Sequence, residues 1–485
     1  MPQNTPMKRQ FTTIDSRTVM SNLPQHWGGN DWTITGVDNP LPVGNYVQTE
    51  AGVWIPQKGS DDGAADVRLT GSNVEDLLSN QKEIINALNS EKLIFGVHWN
   101  KSSNPKLTRT DAAVGLEAGV GVDGQLVKND FDRMPIFGEI AEVEDVYGNK
   151  FMRIPKFYIQ KLEGSNHKIL RISKTAYPGF YLPYVFWDFE EGKELDYFDY
   201  GKFEASLGDN NRLESKPGTH PLVNQNIVSF RNYARNNNDD SAGLKGYQIN
   251  DIHAIDVLQT LFTIEFATLD SQSVMMGHVS GRYTETDIVT VAESDANRVI
   301  VSNASADQFI VGQSIGIGTS RGGQQVASNL KIINITEYDS NNKALEVEGG
   351  PITTTVGNYV YTTGWTSGFS ADVASSSGSI EDNTSGKYPC VYRGIENPWG
   401  NIYECVDGIN INNNQSWICK NANDYASNVF ASPYQKLGYV NSASNGYVRD
   451  LGFDNRYPFA QLPILTGGGT STYYADNYYQ NTGQR

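Results

Sequence analysis

Apolar positions recur at helical spacing in only three stretches of this chain; elsewhere they alternate or come in short runs. Ser72 to Glu91 carries the clearest helical pattern. Ser72 with Glu75 three residues on makes a capping box. Val74, Leu77, Gln81, Ile84 and Leu88 follow at 3-4-3-4 spacing, the a/d seam of a short coiled coil with one polar position. This predicts a helical neck over residues 71–91 that joins copies of the chain as a trimer, or an amphipathic helix lying on its own domain. Ser229 to Asn236 and Ile249 to Leu269 also read as helices. In the second, Ile252, Ile255, Leu258 (or Gln259), Phe262 and Phe266 would form one buried face. Leu93 to Trp99, Phe151 to Gln160 and Lys168 to Ser173 read as strands.

The pattern changes after residue 282. Asp287 to Ala292, Asn297 to Asn303, Gln308 to Ile317, Leu330 to Asp339, Lys343 to Glu348 and Asn358 to Tyr361 are short β-branched runs parted by Gly, Asn, Ser and Asp. That rhythm predicts a small antiparallel barrel or sandwich over 283–365, with ends near Gly281 and Gly364 close in space. Residues 1–70, broken by Pro24, Pro40, Pro42 and Pro56, are expected to be irregular, an arm that orders on a neighbour. Residues 366–387 read as a polar loop.

Tyr388 to Ile411 organises the last part. Asn397-Pro398-Trp399-Gly400 predicts a chain reversal, since Pro pre-sets φ and Gly permits positive φ. Trp399 is expected to plug the core there. Ile402 to Ile409 should continue as a strand, with Tyr403, Cys405 and Asp407 on one side and Ile402, Glu404 and Val406 on the other.

Charge and composition narrow the function. A net charge of -17 over 485 residues argues against a nucleic-acid partner, because phosphate binding needs clustered Lys and Arg. It argues equally against docking on an anionic membrane. No apolar run is long enough to span or insert into a membrane, and the first residues lack the apolar core of a signal peptide. Three cysteines, Cys390, Cys405 and Cys419, provide no disulfide framework and no CxxC zinc spacing. The six histidines are dispersed, and His253 reads as a surface or satisfied core residue rather than a catalytic base. Carboxylate pairs such as Glu190-Glu191 and Asp239-Asp240 do not single out a glycosidase pair, which separation in space decides. No catalytic residue, metal site or cofactor is assigned. Two aromatic stretches remain as candidate binding chemistry. Tyr177 to Tyr200 mixes aromatic and acidic residues, a pattern for stacking on sugar rings or for packing. Residues 412–485 are rich in Tyr, Asn, Ser and Gly, the composition of recognition loops.

Asn401-Ile402-Tyr403-Glu404-Cys405-Val406-Asp407 resembles the Asn-Val-Trp-Glu-Trp-Val-x-Asp strand of the C-type-lectin-like branch that holds formylglycine-generating-type enzymes and bacteriophage tropism determinants. Tyr403 and Cys405 stand where tryptophans are usual, and the spacing to Asp407 is one residue shorter. Arg393 to Gly400 in front makes the stretch more similar to phage tail receptor-binding proteins. The resemblance covers residues 92–282 and 366–485. It implies an α+β fold: a C-type-lectin-like head in two parts with an inserted all-β module, preceded by the irregular arm and the coiled-coil-like helix. It implies a virion protein, assembled in the host cytoplasm, that attaches to other virion proteins through its arm and to a host cell-surface glycan or protein through its head. Trp417, Tyr425, Tyr434, Tyr439, Tyr447, Tyr473, Tyr474, Tyr478 and Tyr479 would then be the receptor-binding candidates. The alternatives are a non-catalytic head-fibre, decoration or baseplate piece, and a lectin-like enzyme. The enzymes use a Cys pair after the shared strand, and only Cys419 follows it here. The ligand triplets of calcium-dependent sugar binding are also absent.

Overall fold

The computed structural model describes residues 92–122, 124–277, 284–379 and 389–480, together with the backbone of short strands between Gln10 and Pro56. The chain forms two units, residues 1–87 and 88–485. In the first, the stretch expected to be irregular contains three antiparallel hairpins: Gln10–Ile14 with Arg17–Ser21, Gln25–Trp27 with Trp32–Ile34, and Tyr46–Gln48 with Trp54–Pro56. Pro24, Pro40, Pro42, Gly28 and Gly29 fall between these strands and Pro56 ends the last, so the breakers punctuate hairpins instead of preventing them. The expected neck, with Val74, Leu77, Gln81, Ile84 and Leu88, lies outside the described residues.

The second unit corrects the expected α+β class. The protein is 32% strand and 14% helix, a β-rich fold and not the expected α+β one. The physical reason is length. Besides Ile252–Phe266, the α-helices among the described residues are Ile227–Arg235, of 9 residues, and Asn303–Ala306, of 4. Most of the remaining chain is cut by Gly, Asn and Ser into short strands.

Tyr158–Glu163, Lys168–Ser173, Ile94–Trp99 and Thr108–Asp111 make one antiparallel sheet in that spatial order. The expected single strand Phe151 to Gln160 is two strands in different sheets. Lys150–Pro155 pairs with Tyr197–Gly201 and Ala141–Glu144, and it ends at Pro155, which has no N–H to continue a ladder. Ile252–Phe266 starts on Asp251, whose carboxylate accepts the N–H groups of His253 and Ala254. A one-sided helix was expected, yet 11 of its 15 residues are buried, among them His253, Asp256 and Glu265. Ile255 and Phe266 are only half-buried. Val257, Leu261, Phe262 and Ile264 share one core with Phe95, Val97, Ile154, Ile159 and Ile172, and also with Cys390, Tyr392 and Ile395 from far along the chain.

Val289–Val291, Arg298–Ser302, Asn342–Glu348, Ala327–Glu337, Ser314–Gly318 and Tyr359–Thr362 form a six-stranded antiparallel sheet in that order. A bridge between Ile288 and Tyr359 joins its two edges, so the sheet closes into a barrel with no free edge. The barrel has its own core of Val299, Val301, Ile315, Ile317, Leu345, Val347 and Val360. Its ends are adjacent, for the Val360 N–H donates to the Asp287 carbonyl at 2.8 Å. Gly281 lies outside the described residues. Beyond the barrel, Phe369–Asp372 is a single 3-10 turn in the polar loop, and two three-stranded sheets close the chain.

Candidate functional site

The chain reverses earlier than the sequence suggests. Val391–Tyr392 pairs with Ile395–Glu396 across a two-residue turn at Arg393-Gly394, φ 49° and 80°. Positive φ at both central residues is the type I′ geometry that matches strand twist. An added Cβ on Gly394 would come within 2.7 Å of Met152 Cε, so the position needs glycine twice over. Arg393 accepts the left-handed conformation because its guanidinium is held from below. It donates to Glu265 at 2.9 and 2.5 Å and to Asp132 at 2.8 Å. Asn397, Gly400 and Asn401 then keep positive φ, and the next strand starts only at Ile409, not at Ile402. Trp399 is half-buried against Phe262 and donates its indole N–H to the Met275 carbonyl at 2.9 Å.

The resulting loop, Asn397 to Asp407, is fastened at several points. The Asn401 amide oxygen accepts the Trp365 N–H at 2.6 Å, and its NH2 donates to Glu204 Oε2. Asn397 donates to the same carboxylate oxygen at 3.2 Å. Glu204 Oε1 is shut off from solvent with no hydrogen-bond partner among the described residues, and burial pushes the carboxyl up to about 8 against the pull of those two amides. Glu396 accepts backbone N–H groups from Gly368 at 3.0 Å and Ser370 at 2.7 Å, and burial still raises it to about 7. At the far end, Asp407 is buried and takes a bidentate pair from Arg231 at 2.5 and 2.6 Å. Its N–H donates to the Asn250 carbonyl at 2.9 Å.

What this loop presents outward is Tyr403, 91% exposed. Tyr403 and Ile402 form one wall of a cleft of about 550 Å³ between the head and the barrel. Gly364 permits the close approach there, since a Cβ on it would sit 3.0 Å from Ile402 Cγ2. The barrel contributes Gln324, Asn329 and Tyr361, and the head contributes Pro221, Val223 and Asn224. Asn329 sits at a bulge in Ala327–Glu337 with φ 56°, a conformation that asparagine tolerates better than most residues. Among the described residues no charged side chain lines the cleft. A second hollow, about 470 Å³, lies on the barrel beside Arg298 and Glu346. It has no aromatic wall, and Arg298 is already paired with Glu293 at 2.6 Å.

The candidate aromatic residues are scattered between core and surface. Tyr425 is buried and donates to Asp251 at 2.9 Å; Tyr434 is buried and accepts the Ala426 N–H at 3.0 Å. Tyr474 is buried edge-on against Trp99 and accepts from Lys168 at 2.6 Å. Tyr439 is half-buried and donates to the Ala460 carbonyl at 2.9 Å. Trp417, Tyr447, Tyr473 and Tyr478 are half-buried, and Tyr479 is 70% exposed. The structure therefore does not bring these nine residues to one face. Tyr177 to Tyr200 is divided in the same way: Phe186 is fully buried and Tyr181 donates to the buried Asp256 at 2.9 Å, whereas Tyr197 and Asp199 are exposed, Asp199 paired with Arg153 at 2.8 Å. Tyr403 was read as one side of a strand, not as a binding residue. Its signal was the cluster of Asn and Gly before it, which opens a loop.

Cys390 is buried, donates to the Trp399 carbonyl and is pushed up to about 12; burial also raises Cys419. Neither is poised as a thiolate. His253 is buried, with Nε2 3.0 Å from the Cys419 carbonyl. The run Asn236 to Asp240 is spent on local structure, Asp239 capping a short turn through the Ser241 N–H at 3.0 Å. Among the described residues no group of three or more His, Cys, Asp or Glu is placed to hold a metal ion, and no helix is long and apolar enough to cross a membrane. Comparison of the sequence with protein-family models and with curated proteins finds no match.

Proposed function

We propose that this chain is a structural protein of a bacteriophage virion, a tail fibre or receptor-binding protein whose head recognises a host cell-surface glycan or protein without transforming it. The observation that carries this reading is Tyr403, an almost fully exposed ring on a loop fastened through Asn401, Glu204 and Asp407. A tyrosine ring left in water on a tethered loop adds nothing to the core and is available for contact. The resemblance of Asn401 to Asp407 to phage receptor-binding proteins supports it, and the raised thiols weigh against thiolate chemistry. Attachment to other virion proteins through the N-terminal arm and assembly as a homotrimer belong to the same proposal.

A packing role, as a head-fibre, decoration or baseplate piece, is favoured by the burial of Tyr425, Tyr434 and Tyr474. Adsorption of the labelled full chain to intact cells of a bacterial strain panel separates the two. Receptor recognition predicts saturable adsorption to some strains with no sugar released. Adsorption to none supports the packing role, and released sugar contradicts both.

A further inference from the structure

We infer that the cleft between head and barrel is a binding site for an uncharged oligosaccharide, with Tyr403 as its stacking platform; this rests on the recognition reading above and names its ligand class. Three features of the lining converge. Tyr403 offers a flat ring that is 91% exposed, and the C–H face of a pyranose covers such a ring without needing charge. Asn224, Gln324 and Asn329 bring side-chain amides, which donate and accept at once and so match hydroxyl groups. Among the described residues the lining is uncharged in a chain of net charge -17, so neither an anionic glycan nor a basic peptide finds a counter-charge among them.

Size and stiffness agree with that ligand. About 550 Å³ is within the range of small-ligand sites and holds two or three sugar rings. Asn401, Asn224 and Asn329, on three different segments at or beside the cleft, all hold positive φ, 54°, 60° and 56°. Asparagine takes that conformation at little cost, so each of the three supports a tight local turn. The site draws on both bodies, so the barrel acts as the second jaw of the head.

The test is a titration of the full chain with neutral tri- to hexasaccharides of glucose, galactose and N-acetylglucosamine, with sialylated and sulfated chains alongside, read by saturation-transfer NMR and calorimetry. At least one neutral chain should bind at micromolar to millimolar concentration. Tyr403→Ala should weaken it about tenfold or more, and Gln324→Ala about threefold. Both residues are exposed, so both variants should keep the thermal midpoint of the parent. Binding of no neutral chain at millimolar concentration, binding unaffected by Tyr403→Ala, or a preference for anionic chains or peptides overturns the inference. Cell adsorption that survives Tyr403→Ala and is not competed by neutral sugars leaves the recognition reading standing while this site falls. Neutral sugar bound through Tyr403 without adsorption to any strain does the reverse.

Discussion

Glu204 and Glu396 keep carboxyl groups where water does not reach, and their protons report on that. An unfolded glutamate ionises near 4.5, whereas folding raises these two to about 8 and about 7. The folded state holds the extra protons, so the stability these two groups contribute is fully present below pH 4.5 and is lost as pH rises to about 8. Glu204→Gln keeps an oxygen for the Asn397 and Asn401 amides and removes the ionisation. Relative to the parent it should gain roughly 3 kcal/mol between pH 5 and 8, seen by urea unfolding at several pH values. Burial also sorts the tyrosines. Tyr474→Ala should cost about 3 kcal/mol of stability, whereas Tyr479→Ala should change the thermal midpoint little. Composition showed that the C-terminal part is rich in Tyr and Asn. It could not separate rings that plug a core from rings that face water, because both uses favour the same amphipathic side chain.

At the scale of elements, the hairpin Val391 to Glu396 is bound to the long helix by Arg393 and Glu265, of which Glu265 is fully buried. Removing one partner strands a charge in the core. Glu265→Ala should therefore destabilise by roughly 3–5 kcal/mol, measured by denaturant midpoints, since it also strands the Tyr392 hydroxyl and the Asn129 amide. Helical spacing located the helix to within a few residues of Ile252–Phe266. Its burial on nearly every side was hidden because carboxylates such as Asp256 and Glu265 ordinarily face water, and only their distant partners, Lys161 and Arg393, make them core residues. The Arg393-Gly394 turn was missed for the same reason: arginine is a poor left-handed residue unless a buried carboxylate holds it there.

For the whole molecule, the barrel was legible because β-branched runs divided by turn residues leave few alternatives to an antiparallel sheet. The fold class was not. Short strands joined by irregular loops carry little periodicity, and the resemblance centred on seven residues suggested an α+β class for a chain that is β-rich. How distant stretches close on each other is invisible to local pattern, since it rests on contacts such as Tyr392 against Phe262. The account depends on residues 92–277 and 389–480 being one cooperative body that holds the Tyr403 loop rigid. Hydrogen exchange on the full chain in rising urea tests this directly. Amides of the Ile252–Phe266 helix and of Val391 and Glu396 should lose protection at one denaturant concentration, and the barrel amides are free to follow their own transition. Early exchange of Val391 and Glu396 while the helix stays protected would contradict it.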